Sequence, residues 1–459
     1  MNRDFHFFAT YHAACQANFS EEQARKIAWA AEMVDELTLG LASIYFDSRD
    51  PDLIITTQST WDFPDNLQWS DDFNSPKSQI IRGIWSPFHF LPGHFEGGFK
   101  EINHDPSRHL NSRQYILFDG QRRKSTIDSY FKDENNHKFM DVCLKLRCGK
   151  NSKTARELLD YLKKLYANVD KYDEEERLYA IGIGMHVFAD TWAHDNFSGI
   201  PCYIVNTTHL EALHPETEQK MKELNLKEKD TETALGYMRS PISKVYLPAI
   251  NSTDYLGHGH INHAPDYDFF SYMYFPRYEA PDATLTNYLV NYRQCFWSIR
   301  NPKRFEEAFL SMCNAMKYII GTENTPEHIK TNDVDAEAKN VREKVFEIWP
   351  INEKGKLMDD HDDIVKFKEK TWKEYLGISG LDFSLKNGDI HKFAKQAKLY
   401  RNYILEYINV QLEKSYPKKP IFSNTKYKED RFFEPKYVDS WVKDYLFYLE
   451  VQNSAYPVY

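Results

Sequence analysis

The sequence predicts a mainly α-helical fold with long loops, few short strands and additional helices toward the C-terminus. Three observations carry this. Apolar residues recur at helical spacing over long stretches, several of these stretches open on capping signatures, and strand signals are short and scarce. The first clear helix opens at Ser20 with S-E-E-Q, a capping box in which Ser20 and Gln23 satisfy orphan amides. Ile27, Ala31 and Val34 follow on one face, with Asp35 at its edge before Gly40. Residues 154–167 form a second amphipathic segment. A third begins near Asp173, where Glu176 completes D-x-x-E, and runs into "MHVFADTWAHDNFSG". Strand signals are confined to Leu53 to Thr57, Pro201 to Val205 and Val245 to Ile250. The stretch from Asp47 to Lys100 is rich in Pro, Gly, Asp and Ser and reads as a long ordered loop region.

Further helices are expected at Phe305–Ile320, Ala336–Ile348, Asp362–Tyr375, Ile390–Leu412 and Val438–Val451, with the polar segment Thr322–Asp335 as a linker. After Asp268 only His328, His361 and His391 remain, so the chemistry is expected before residue 300. The division that follows is a helical, metal-binding core over residues 1–300 and a C-terminal helical region over 301–459 packed on it. No internal repeat or low-complexity tract stands out.

With 459 residues, 42% of them hydrophobic, the chain can bury a large core. No apolar run approaches the ~20 residues of a membrane span. "MNRDFHFFATYHAAC" does not read as a secretory signal, so a soluble cytoplasmic protein is expected, with signal-less export as the alternative. The net charge of -10 argues against stable nucleic-acid binding. Cys15, Cys143, Cys148, Cys202, Cys295 and Cys313 form no C-x-x-C pair and read as reduced. The 30 Tyr and 30 Phe read first as core. The same holds for Phe7, Phe88, Phe90 and Trp192, which are also candidates for a pocket wall.

His186, Asp190 and His194 are spaced four apart, which on a helix places them within about 80° of one another. Gly182 falls on the same stripe and leaves room beside it. Imidazole and carboxylate are usual ligands for zinc and related ions. One helix cannot complete a metal site, but other donors are available. Asp4, His6 and His12 lie near the N-terminus, and Asp35 ends the first clear helix. His89 and His94 stand in "SPFHFLPGHF", and "GHGHINHAPDYD" holds His258, His260, His263, Asp266 and Asp268.

This order of elements resembles the all-α zinc-dependent phospholipase C and P1 nuclease superfamily. "DFHFFATYHAACQANFSEEQARKIAWAAEMVDE", "SPFHFLPG" and "GMHVFADTWAHDNFSG" resemble more closely an uncharacterised bacterial family related to it. The resemblance implies a helical phospholipase C-like core with metal ligands at His6, Asp35, His89, His186, Asp190, His194 and His258 or His263. It implies one to three Zn²⁺ ions, two being expected, with Mn²⁺ or another divalent metal as an alternative. Asp35 or Asp190 would bridge the ions, and Asp4 would orient the water or a ligand histidine. The sequence departs from the superfamily at three points, the first being the three-residue gap between Asp190 and His194, where the phospholipase C pattern has a longer one. Those enzymes also bind metal through the mature N-terminal amino group, which a chain starting at Met1 without a leader is expected to lack. They close the set with H-x3-E, whereas here no Glu stands at that offset, and His258, His260, His263 or Asp266 is left to serve.

The implied function is a zinc-dependent hydrolase cleaving a phosphodiester, of phospholipid or nucleotide type, through a metal-bound hydroxide. The expected partner is a small phosphorylated or phospholipid substrate. The alternative is a metal-stabilised interaction module without catalysis, its protein partner binding through the C-terminal helices.

Overall fold

The computed structural model describes residues 1–38, 57, 83–96, 142, 144–200, 203–206, 208–226, 257–258, 261, 263–276, 297–325, 332–385 and 388–415. The described chain is mainly α-helical. A π-helical segment, Asp4–Ala9, leads into α1 (Thr10–Gln16) and then α2 (Glu21–Glu36). α3 (Lys153–Ala167) and α4 (Glu174–Ala193) follow. Next come a helical turn at Tyr203–Asn206, β1 (Thr208–Leu213), α5 (Pro215–Glu223), β2 (Ser271–Pro276) and β3 (Trp297–Arg300). The chain continues as α6 (Asn301–Ile319), α7 (Asn332–Val341) with a π-helical turn Arg342–Phe346, α8 (His361–Leu376) and α9 (Ile390–Ser415).

α4 is the hub. Asp173 and Glu176 close its capping box as the sequence predicts, and Glu174, Glu175 and Glu176 place negative charge where the helix dipole is positive. From Leu178 to Ala193 every residue is buried, so this helix is enclosed on all faces rather than lying on a surface. It packs against α1, α2, α3, α6 and α9. One continuous apolar cluster includes Phe5, Ile27, Leu162, Ile183, Phe309 and Ile404, so helices beyond residue 300 share the core that holds α4.

The α2–α4 contact depends on Gly182. A Cβ there would lie 2.3 Å from the Ile27 carbonyl oxygen and 2.6 Å from Ala30 Cβ. Only glycine lets the two backbones approach this closely. The room expected at Gly182 is therefore filled by α2, and the close approach brings the Ala31 carbonyl to His186.

β1, β2 and β3 form a small antiparallel sheet in that order, with an irregularity between Leu210 and Ala212. A second apolar cluster includes Phe90, Phe197, Ile261, Tyr267 and Tyr272.

Several expectations need correction. Pro201 to Val205 is not a strand over its described part: Tyr203–Asn206 is a helical turn. Asn206 explains it, accepting from Ser198 N and donating to Ser198 and Ile200 carbonyls, which folds the segment back on itself. The expected linker ends early, since α7 starts at Asn332. Leu53 to Thr57 except Thr57, Val245 to Ile250 and Val438–Val451 lie outside the described residues. No helix among the described residues is long and apolar enough to cross a membrane. Cys15, Cys148 and Cys313 are free thiols.

Candidate metal centre

Five segments deliver donors to one place. α4 supplies His186 and Asp190, and His194 caps its C-terminus while its N–H still donates to the Asp190 carbonyl at 2.8 Å. α2 supplies Asp35 from its last turn, and the π-helical segment supplies His6. His89 follows a helical turn at 83–88, and His258 and Asp266 come from the segment before β2. Three groups of donor atoms lie within 4.8 Å of one another: His6, Asp35 and His186; His89, His186 and Asp190; His194, His258 and Asp266.

The two carboxylates at the centre divide their oxygens. Asp190 Oδ1 lies 3.2 Å from His6 Nε2, while its Oδ2 lies 3.3 Å from His186 Nε2, 3.7 Å from His89 Nδ1 and 3.6 Å from His194 Nδ1. Asp35 Oδ2 lies 3.8 Å from His6 Nε2, while its Oδ1 lies 3.6 Å from His89 Nδ1 and 3.8 Å from His186 Nε2. Each carboxylate thus offers one oxygen to His6 and the other to the His89–His186 pair. His186 Nε2 has a single lone pair and can serve one ion at a time, whereas Asp35 and Asp190 each turn their two oxygens to different imidazoles.

The imidazoles are held by backbone carbonyls. His186 Nδ1 meets Ala31 O at 2.8 Å, His89 Nε2 meets Thr57 O at 2.7 Å and His194 Nδ1 meets His89 O at 2.6 Å. A carbonyl only accepts, so each of these nitrogens donates, and in the neutral ring the other nitrogen carries a lone pair. With both rings neutral, as metal ligation requires, the lone pairs of His89 Nδ1 and His186 Nε2 face each other across 3.4 Å. A proton on one ring or a metal cation between the two would satisfy this pair, and the adjoining carboxylates favour either. Donors about 2.1 Å from a tetrahedral ion stand roughly 3.4 Å apart, close to the spacings found here. Both His6 nitrogens are buried without a hydrogen-bond partner, the 3.2 Å approach to Asp190 being out of alignment. The N and O donors, the orphaned imidazole and the spacing all fit zinc or a related divalent ion.

Electrostatics agree. Burial, with the neighbouring His186 next, lowers His6 to about 4 and keeps it in the neutral form that ligation needs. Burial alone would raise Asp190, but His194, the Met1 amino group, His6 and His186 outweigh it and hold the carboxyl well below its usual range. Asp266 is likewise held low, burial being overcome chiefly by His258 and the Met1 amino group. His89 runs the other way: burial opposes its proton, but Asp190 and Asp35 prevail and raise its pKa, so a bound cation would have to displace that proton.

Not all candidate residues converge. Asp4 is buried elsewhere: beyond burial, the charges that act on it are Asp268, Lys368 and Glu369, which leave its pKa well above normal. It therefore does not take the orienting role expected for it beside the histidines. His263 stays at the rim, 43% exposed, 3.7 Å from Asp266 Oδ2 and stacked on His361 at 4.0 Å. Asp266, one of the open alternatives, joins the third group. His260 lies outside the described residues. His12 bonds Glu337 at 2.6 Å, apart from the cluster. Phe90 stacks on His194 at 4.4 Å, whereas Phe7, Phe88 and Trp192 belong to the main core.

The N-terminus does reach the centre, but as a charged donor rather than as a metal ligand. The Met1 α-amino group is buried, donating to Asp190 Oδ1 at 2.7 Å and lying 3.2 Å from Asp266 Oδ1. Burial disfavours its charge, yet Asp190, Asp266 and Asp35 raise its pKa to about 11. Spacing gave no signal for this contact.

Fold and site together define a mainly helical protein with three adjoining His/Asp groups suited to metal. The chain belongs to the family of unknown function DUF6765, which matches residues 1–408. No curated protein and no solved structure matches it.

Proposed function

We propose that this protein is a metal-dependent hydrolase acting on a phosphoric ester, with a phosphodiester of phospholipid or nucleotide type as the leading substrate class. The reading rests on the convergence of His89 Nδ1 and His186 Nε2, 3.4 Å apart, beside Asp35 and Asp190. The order of ligands, which resembles the phospholipase C and P1 nuclease superfamily, supports it. Zinc or manganese held there would acidify a water and neutralise phosphoryl oxygens.

The chain's own contribution is placement. Ala31, Thr57 and His89 carbonyls fix the imidazole rings before any ligand arrives. Asp190 is sealed, with 1% of its side chain exposed, whereas Asp35 is 31% exposed and His258 16%. Water and substrate therefore reach the centre on the Asp35 and His258 sides, and Asp190 serves as the buried anchor.

The test is hydrolysis of bis(p-nitrophenyl) phosphate by purified protein of measured metal content. Activity should disappear on chelation, return with Zn²⁺ or Mn²⁺, and fall at least tenfold in Asp35→Asn, which keeps side-chain size but removes charge. A slow rate is expected, because this substrate lacks the natural leaving group's binding energy. Bound metal without hydrolysis of phosphodiesters, phosphomonoesters or phospholipids would replace the enzyme with a metal-stabilised binding module.

A further inference from the structure

We infer that Asn301 is the positioning residue for the third ligand group, and that the start of the C-terminal helical region thereby controls metal occupancy at His194, His258 and Asp266. This rests on the metal-centre reading above. Asn301 is fully buried, at the junction where β3 passes into α6. Its Nδ2 donates to Ala264 O at 2.7 Å and to Tyr267 O at 2.6 Å. Both partners are carbonyls, so the amide must present its NH₂ to them, and its orientation is fixed by chemistry. Its Oδ1 makes no hydrogen bond.

Those two carbonyls bracket Asp266. The turn that carries it has only short-range bonds of its own: Ala264 N to Ile261 O, and Asp266 N and Tyr267 N to His263 O. Such bonds hold the turn's shape but do not anchor its backbone to α4. Asn301 supplies that place, because α6 packs directly on α4, which bears His186 and Asp190. A rigid path thus runs from the Asp266 turn through Asn301 and α6 to the helix that holds the other ligands. Beyond the turn, Asp268 pairs with the buried Lys368 at 2.8 Å, and Thr217 Oγ1 bonds both the N–H and the carbonyl of Ser271. These hold the exit toward β2, two residues or more past Asp266. Other groups touch side chains of the turn, with His194 Nε2 3.3 Å and the Met1 amino group 3.2 Å from Asp266 Oδ1 and His361 Nδ1 3.1 Å from Tyr267 Oη, whereas Asn301 holds its backbone on both sides of Asp266.

The experiment measures zinc stoichiometry and affinity in the full-length chain for wild type, Asp266→Asn, Asn301→Leu and Asn301→Ser. Leucine fills the site without a donor, and serine keeps one shorter donor. Asn301→Leu should weaken the same ion that Asp266→Asn weakens, by roughly 10–100-fold, and leave the other sites at wild-type affinity. Asn301→Ser should fall between. Thermal unfolding is followed with and without zinc. A positioning role shrinks the zinc-dependent gain in Tm, whereas a merely structural role lowers both Tm values equally. Should Asn301→Leu not fold, the serine variant is read by the same criteria. If Asp266→Asn lowers zinc binding while the Asn301 variants bind as wild type, this inference is wrong and the metal centre stands. If Asp266→Asn changes nothing, the third ligand group itself is wrong.

Discussion

Gly182→Ala is the sharpest probe of how the helices build the site. The new Cβ would stand 2.3 Å from Ile27 O, 2.6 Å from Ala30 Cβ and 3.0 Å from Ala31 N. All three belong to α2, and two are backbone atoms that cannot rotate away. Ordinary contact requires α2 to retreat by about 1 Å. The His186 Nδ1 to Ala31 O bond, now 2.8 Å, would then stretch to about 3.8 Å and cease to be a hydrogen bond. Overpacking costs about 1–3 kcal/mol, and leaving the buried pair unmade about 1–3 kcal/mol more. Alanine's helix propensity returns about 1 kcal/mol. The net loss is about 1–5 kcal/mol, or a Tm fall of roughly 2–10 °C at about 2 °C per kcal/mol for a long chain. With its ring unanchored, His186 should also bind zinc roughly 10–100-fold more weakly. Gly184→Ala is the control. Its Cβ would stand 2.3 Å from Leu162 Cδ1, a side-chain tip that can turn rather than backbone, so its Tm and zinc affinity should fall less than those of Gly182→Ala. Calorimetry and zinc titration of both variants decide the matter. A Gly182→Ala protein with wild-type Tm and zinc affinity would show that close helix approach does not set the ligand geometry.

Asp190→Ala should reduce bound metal and shrink the metal-dependent rise in Tm together, since ligand binding stabilises the native state by mass action. Unchanged stoichiometry by elemental analysis would remove Asp190 from the ligand set. His94 gives a pH prediction away from the centre. Burial first, and the Arg147 charge second, lower its pKa to about 3, against ~6.5 in the unfolded chain. Acid therefore favours the unfolded chain: the contribution is intact above about pH 6.5 and is lost below it, at up to about 1.4 kcal/mol per pH unit. His94→Gln should flatten that loss between about pH 6 and pH 4 in urea titrations. Parallel curves for the two proteins would count against the assignment.

What was legible in the sequence follows from the range of each signal. Capping is local, so Ser20 with Gln23 and Asp173 with Glu176 announced the starts of α2 and α4 to within a residue, whereas the first helix, read as far as Gly40, ends at Glu36. The His186–Asp190–His194 stripe was legible for the same reason, because helix geometry alone puts those side chains on one face. The sheet was not, since β1, β2 and β3 are short and take their partners from distant sequence. Asp4 was misjudged because its proximity to His6 in sequence hides a turn that sends it toward Lys368 and Asp268. The carbonyls of Ala31 and Thr57 have no sequence signature, since any residue carries one. Their value arises only when α2 and α4 touch. Asp266 was one of several donors in a short run, and choosing it over His263 needed the turn that buries one and leaves the other at the rim.

Charge balance ties the donors to the class of substrate proposed. Asp35, Asp190 and Asp266 bring three carboxylates to one place, two of them almost wholly enclosed. Buried carboxylates are unfavourable unless cations or hydrogen bonds meet them. The Met1 ammonium lies between Asp190 and Asp266 and balances one charge. His6, held near 4, contributes none at neutral pH. The remaining negative charge matches one divalent ion, and a second would carry the cluster past neutrality. On the proposed reading, a centre with two ions is therefore positive at its partly open Asp35 side. Such a field draws anions and holds the charge that grows on a phosphoryl group, and it offers less to a neutral amide. That asymmetry, together with the bridging geometry of Asp35 and Asp190, is why a phosphoric ester is favoured over the other bonds that the same ligands could hydrolyse.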